Sequence, residues 1–168
     1  MWKIARQIVR TGIATEPPPE GDESLRVTAE HIGRELLDTL GQALAIRHVD
    51  AGSCNGCELE IQALGNPYYN LEGLGIKFVA SPRHADALLV TGPVTRNMAE
   101  ALQRTYSAMP DPKLVIADGD CAACGGIFGE GYASLGGVAN VIPVDVTVKG
   151  CPPTPTALLQ GILAAIRV

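Results

Sequence analysis

Aromatic residues are scarce in this 168-residue chain, with two Phe, one Trp and four Tyr making up 4%. The core must therefore be built from Ala, Val, Leu and Ile. Charge is also in short supply: Asp, Glu, Lys and Arg total 18%, against about 25% in ordinary soluble domains. That deficit is expected of a molecule whose surface is largely covered by something else. Positive charge is not in excess, because 13 Lys and Arg stand against 18 Asp and Glu for a formal net charge of −5. A general nucleic-acid binder, which needs a basic footprint to neutralise phosphates, is disfavoured. No apolar run approaches the roughly 18 to 20 residues needed to cross a bilayer. The first residues lack the apolar stretch and small-residue cleavage site of a secretory signal, and they contain no twin-arginine pair. The expectation is a cytoplasmic protein. There is also no G-x-G-x-x-G and no phosphate-loop lysine motif to signal a nucleotide site.

What the chain does have is glycine and proline, 19 and 12 residues, spread without a period that would indicate collagen or a repeat array. It also has five cysteines. In a reducing cytoplasm these are unlikely partners for disulfides, so metal or redox chemistry comes first.

The length predicts one domain plus a short arm. Residues 1–15 read as an amphipathic helix with Lys3, Arg6 and Arg10 on one face and Trp2, Ile4, Ala5, Ile8 and Val9 over the other. Such a helix suits a membrane surface or an acidic partner, or it packs on a neighbouring subunit. Pro17-Pro18-Pro19 then makes a stiff extended link, which closes an arm over residues 1–27. From Thr28 to about Leu44, Ile32, Leu36, Leu40 and Leu44 recur every fourth residue, as on a surface helix with one buried face.

After Gly41 the pattern changes. Apolar runs rich in Val, Ile and Leu predict strands at Ala45–Val49, Ile76–Ala80, Ala87–Thr91, Leu114–Ala117 and Val141–Val146. Helices are predicted near Glu58–Leu64, Thr95–Ala108 and Pro155–Ile166. This alternation argues for an α/β fold, a single doubly wound, mostly parallel sheet over residues 28–168 that is covered on both faces. Such folds carry their chemistry in the loops beyond the carboxyl ends of the strands.

All five cysteines fall there. Cys54 and Cys57 follow the first strand in DAGSCNGCE, Cys121 and Cys124 follow the fourth in GDCAACGG, and Cys151 follows the fifth in KGCPP. A cubane iron–sulfur cluster needs four thiolates gathered from such loops, with glycines that let backbone N–H groups approach sulfur. Two C-x-x-C pairs equally fit a four-thiolate zinc site. Against zinc, this chain has enough apolar sequence to form a core without metal. A thioredoxin-like dithiol is the weaker third option, because it leaves two cysteine loops without a role. Five thiols are one more than a cluster needs. Spacing leaves Cys121 and Cys124 as alternatives, with Cys124 readable as a small buried thiol.

Several segments together resemble the small-subunit family shared by membrane-associated group 4 [NiFe] hydrogenases, of the formate hydrogenlyase type, and the 20-kDa subunit of respiratory complex I. They are CNGCELEI at 54–61, SPRHADALLVTGPVT at 81–95, MPDPK at 109–113, GDCAACGGIF at 119–128, PVDV at 143–146 and GCPPTP at 150–155. The resemblance runs from about Ala45 to the C-terminus. It implies a flavodoxin-like domain holding one [4Fe-4S] cluster on Cys54, Cys57, Cys121 and Cys151, with no catalytic residue of its own. Cys124 departs from the family pattern. The separated C-N-G-C favours the hydrogenase branch over complex I, whose first motif has adjacent cysteines. Implied partners are a hydrogenase-like large subunit carrying the nickel–iron site, a ferredoxin-like iron–sulfur subunit and membrane subunits of an ion-pumping arm. The chain would then sit peripherally on the inner face of the cell membrane. Larger hydrogenase small subunits carry extra clusters and a twin-arginine leader, and neither is expected here. Competing roles are a complex I-type subunit reducing quinone, a nickel-free ion-pumping relative, and a zinc-stabilised binding protein without redox work.

Glu58, next to a ligand, is expected to accept backbone or Arg hydrogen bonds at a helix start, or, pushed toward its protonated form by an anionic cluster, to couple proton and electron movement. Arg83 and His84 are candidates to face the cluster or the large subunit, or to fix a loop, with Asp86 as their neighbour. His31 and His48 lack ligand spacing and read as structural. Gly92-Pro93 reads as a loop closely approaching another element.

Substituting Ala for Cys54, Cys57, Cys121 or Cys151 is expected to abolish the reduced-cluster EPR signal, while Cys124→Ala spares it. The reverse pattern at positions 121 and 124 would exchange the third ligand.

Overall fold

In the computed structural model, five parallel strands form one sheet in the order β2-β1-β3-β4-β5. The structure describes residues 43–167 and, before them, Trp2, Arg6, Val9, Arg10, Val27, His31 and Arg34, each helical. Most of the expected arm at 1–27, and the helix expected from Thr28, lie outside the described residues. Leu44, expected at the end of that helix, instead opens β1 (Leu44–Asp50). β2 (Ile76–Phe78), β3 (Ala87–Thr91), β4 (Leu114–Asp118) and β5 (Val146–Val148) complete the sheet. The helices are α1 (Gly56–Ala63), α2 (Arg96–Ala108), α3 (Gly119–Cys124) and α4 (Pro155–Ile166).

β3 explains the layering. Its five residues Ala-Leu-Leu-Val-Thr are all buried, and successive side chains of a strand point to opposite faces. Ala87 and Leu89 join the core beneath α1 and α4, with Leu44, Ile46, Ile116, Ile61, Leu158 and Ile162. Leu88 and Val90 join the core beneath α2, with Val49, Val115, Ala117 and Leu102. Burial on both faces is why the strand reads as an unbroken apolar run.

Two aspartates fasten the amino ends of the strands. Asp86 Oδ2 accepts from Ala45 N at 2.9 Å while Asp86 N donates to Ala45 O at 2.8 Å. Asp145 repeats the device on Val115, at 2.7 and 3.0 Å. This second clasp sets where β5 begins and corrects the strand expected at Val141–Val146. Val141 follows a 3-10 turn at Val138–Asn140, and Ile142 is buried in the α2-side core. Pro143 has no N–H to give a ladder, so pairing starts only at Val146, opposite Ile116. β2 likewise stops at Phe78, short of the expected Ala80, and α3 is a short helix that periodicity did not signal. Among the described residues no helix is long and apolar enough to cross a membrane.

Leu89 is fully buried at the centre of the sheet. Leu89→Ala is expected to cost about 2–5 kcal/mol of unfolding free energy, whereas Leu89→Met stays below about 1.5 kcal/mol, as read from the urea unfolding midpoint.

Candidate iron–sulfur centre

The order of the strands brings three cysteine loops to one edge, because β1 and β4 flank β3 and β5 lies beyond β4. At the end of β1, Asp50 Oδ1 accepts from Gly52 N at 2.8 Å and Ser53 N at 2.7 Å, folding the chain back on itself. Ala51 N donates to Thr91 O at 3.0 Å, tying this loop to the end of β3. Gly92 permits the approach: a Cβ there would lie 2.4 Å from Ser53 N, and its φ is +76°. The close contact read into Gly92-Pro93 is therefore present, and it is made with the first cysteine loop. Asn55 then takes a left-handed turn with φ 73°, and α1 begins with Cys57 in its first turn.

The second loop is α3 itself, starting directly where β4 ends, with Cys121 in its middle and Cys124 at its last position. Cys151 follows β5. Cys57 is buried, Cys121 half-buried, and Cys54, Cys124 and Cys151 exposed. Cys124 thus departs from the expected buried thiol. Its Sγ donates to Asp120 O of its own helix at 3.3 Å.

Electrostatics reports the neighbourhood of each thiol. Burial pushes the Cys57 thiol up to about 12, and the negative charges of Asp118, Glu58, Cys121 and Cys54 add to the rise. Burial also raises Cys121, helped by Cys151, Cys54, Asp120 and Cys124. Cys121 is the hub, interacting with the thiols of the other two loops. Two neighbouring thiols raised in this way, Cys57 and Cys121, fit a cationic group, which would stabilise their thiolates and release their protons on binding. Gly119 also fits: a Cβ there would stand 2.8 Å from Cys57 Sγ, and its φ is +86°. Among the described residues no three His, Cys, Asp or Glu side chains are placed to hold a single metal ion.

Behind the thiols lies a buried polar network. Glu58, 9% exposed, accepts hydrogen bonds from the hydroxyls of Ser53 and Thr91. His48 Nε2 lies 3.0 Å from Thr91 Oγ1 and 3.8 Å from Glu58 Oε1. Burial lowers the His48 pKa, against the raising effect of Glu58 and Asp50. Glu58 accordingly accepts hydrogen bonds at a helix start as expected, but from hydroxyls rather than from backbone or Arg. Asp118, wholly buried at the end of β4, has no hydrogen-bond partner for either carboxyl oxygen. Burial, then the charge of Glu58, raises its pKa from 3.8 to about 7.

Arg83 and His84 are not brought to this edge. They lie exposed in a short turn at the amino end of β3, where the strand itself separates them from the cysteines. Asp86, expected beside them, is engaged by Ala45 instead. Sequence reasoning passed over Ser53, Thr91, Asp118 and Asp120. The one available signal was an aspartate closing each of two strands, Asp50 and Asp118.

Residues 54–165 match the family model described as NADH ubiquinone oxidoreductase, 20 Kd subunit. The chain is 47% identical over 133 residues to the "Probable membrane-bound hydrogenase subunit mbhJ" of Pyrococcus furiosus, covering 79% of this chain and 80% of that protein. It is 47% identical over 131 residues to formate hydrogenlyase subunit 7 of Escherichia coli, covering 78% of this chain and 51%, about half, of the relative. A solved structure of the membrane-bound sulfane sulfur reductase, an archaeal respiratory membrane complex, contains a chain that superposes with a TM-score of 0.67 at 34% identity, covering 81% of this chain and 74% of that one. A [NiFeSe]-hydrogenase chain from Dm. baculatum superposes with a TM-score of 0.56 at 17% identity, covering 74% and 62%, and this likeness concerns the fold alone.

The raised pKa of Asp118 fixes the sign of a pH effect in the metal-free chain. The folded state holds this proton more tightly than the unfolded state, so the contribution of Asp118 to stability is fully present below about pH 4 and is lost as pH rises through about 7. Asp118→Asn is expected to remove that fall and to stabilise the metal-free chain at pH 8 by on the order of 3 kcal/mol, measured by urea unfolding at pH 5 and pH 8.

Proposed function

Because the chain belongs to the NADH ubiquinone oxidoreductase 20-kDa subunit family, we propose that it is the electron-transfer subunit of a membrane-associated hydrogenase complex. In this reading it holds one [4Fe-4S] cluster on Cys54, Cys57, Cys121 and Cys151. It relays electrons between the nickel–iron site of a large subunit and ferredoxin-like subunits. The observation that supports the reading is that the parallel sheet sends the cysteine-bearing segments after β1, β4 and β5 off one and the same edge. Identity of 47% to two proteins named as hydrogenase or formate hydrogenlyase subunits supports the hydrogenase reading.

The cluster, when bound, supplies one-electron exchange without bond making on the protein. The chain's own residues do the rest. Cys121 lies on α3, which starts directly where β4 ends, and Cys57 lies in the first turn of α1, so both sulfurs are held by helices rather than by free loop. Exposed Cys54 and Cys151 face the side from which a partner would exclude water. Glu58 is held by Ser53 and Thr91, so its charge has a fixed position beside Cys57 and bears on the potential.

Residues 28–168 form the cluster domain in this proposal, and residues 1–27 an arm toward neighbouring subunits. Attachment at the inner face of the membrane would come through membrane partners. An apolar tip suits such an assembly: Ile127 and Tyr132 are 90% and 96% exposed. Arg96 braces this loop by donating to Tyr132 O at 2.8 Å and Gly131 O at 3.2 Å. A rigid, exposed apolar contact costs little conformational entropy on docking.

The likeness to the sulfane sulfur reductase complex favours one second reading, in which the complex lacks nickel and serves as a redox-linked ion pump. Nickel content and hydrogen-dependent dye reduction of the anaerobically co-purified complex separate the two. About one nickel per complex with hydrogen activity is expected. Iron and sulfide without nickel or hydrogen activity, in a complex containing the large subunit, would move the assignment to the nickel-free reading. Zinc in place of iron and sulfide would end both.

A further inference from the structure

We infer that Asp120 is a positioning residue that clamps the Cys151 loop onto the helix bearing Cys121, and that its carboxylate biases the site toward a lower reduction potential. The inference rests on the cluster reading above and concerns a residue to which that reading gave no role. Two hydrogen bonds carry it. Asp120 N donates to Gly150 O at 2.8 Å, and Gly150 N donates to Asp120 Oδ1 at 2.9 Å. The pair closes a ring between the residue before Cys121 and the residue before Cys151, two ligand positions that are thirty residues apart in sequence.

The Cys151 loop has few other restraints. β5, which delivers it, is three residues long and lies at the sheet edge. Among the described residues, the hydrogen bonds that reach residues 149–153 from another part of the chain both come from Asp120. Cys151 itself is exposed, and its sulfur is close enough to raise the Cys121 thiol. Without the clamp, the distance between these two sulfurs depends on an edge strand and a loop. With it, the backbone on both sides is fixed by a two-point contact, which restricts rotation as a single hydrogen bond does not.

The charge has a separate consequence. Asp120 directly precedes Cys121 in α3, and a carboxylate disfavours addition of an electron to a centre bound there. Reduction potentials of such centres respond to net charge and to hydrogen bonding near the sulfurs. Asn at this position keeps a side-chain oxygen that accepts from Gly150 N but removes the charge, whereas Ala removes both.

The test compares wild type, Asp120→Asn and Asp120→Ala in the anaerobically purified complex, by iron release to a ferrous chelator and by EPR-monitored redox titration. Asp120→Ala is expected to release iron several-fold faster than wild type. Asp120→Asn is expected to retain iron at the wild-type rate and to titrate at a higher midpoint potential. Iron retention in Asp120→Ala equal to wild type overturns the clamp, and an unshifted midpoint in Asp120→Asn overturns the electrostatic role. Absence of iron and EPR signal from wild type itself would instead overturn the cluster reading.

Discussion

Parallel pairing of β3 between β1 and β4 is the constraint on which the rest of this molecule depends. Its five residues pair with both neighbours, from Ala87 opposite Ile46 and Leu114 to Thr91 opposite Asp50 and Asp118. Because the pairing is parallel, all three chains leave the sheet at the same edge, and the loop after β1 comes within reach of the helix after β4. An antiparallel neighbour would send one cysteine loop to the opposite end, more than a strand length away. The long helical crossovers of a parallel sheet are therefore the means by which distant cysteines meet.

That edge concentrates acidic groups close to one another. Cys57, Asp118 and Glu58 converge behind the exposed thiols, and the rise in the Cys57 and Asp118 pKa values follows from burial reinforced by mutual repulsion. The unpartnered oxygens of Asp118 are a local departure from the rule that buried polar atoms are paired. Such departures are tolerated where the surrounding core is sound, and here both faces of the sheet are filled with aliphatic side chains. The fold thus bears the cost of an electrostatically crowded edge, and a bound cationic core would relieve part of it.

Much of the fold was legible because a doubly covered strand leaves a plain trace. Ala87–Thr91 and Pro155–Ile166 fall where their apolar patterns predict. Val141–Ile142 misled because two β-branched residues packed against the core look the same in a strand as in the chain that follows a 3-10 turn, and only Pro143 hinted at the break. The candidate site was legible in its thiols, whose spacing and loop positions follow directly from strand order. Its carboxyl surroundings were not. Asp118 looks like any strand-terminating aspartate, and Arg83 and His84 look as promising as Glu58, until the register shows which end of β3 each occupies.

The sequence by itself determined the class of the fold and the strands whose ends carry the cysteines, because periodicity and cysteine position are local properties. Which thiol of the C-A-A-C helix is half-buried and which exposed was a tertiary matter, since Cys121 and Cys124, three residues apart, are neighbours on one helix face and only its packing against β4 and β5 distinguishes them. The same holds for the Asp120–Gly150 ring and for the partnerless Asp118. Each joins or isolates groups far apart in the chain, and contacts of that kind exist only once the sheet has closed the distance.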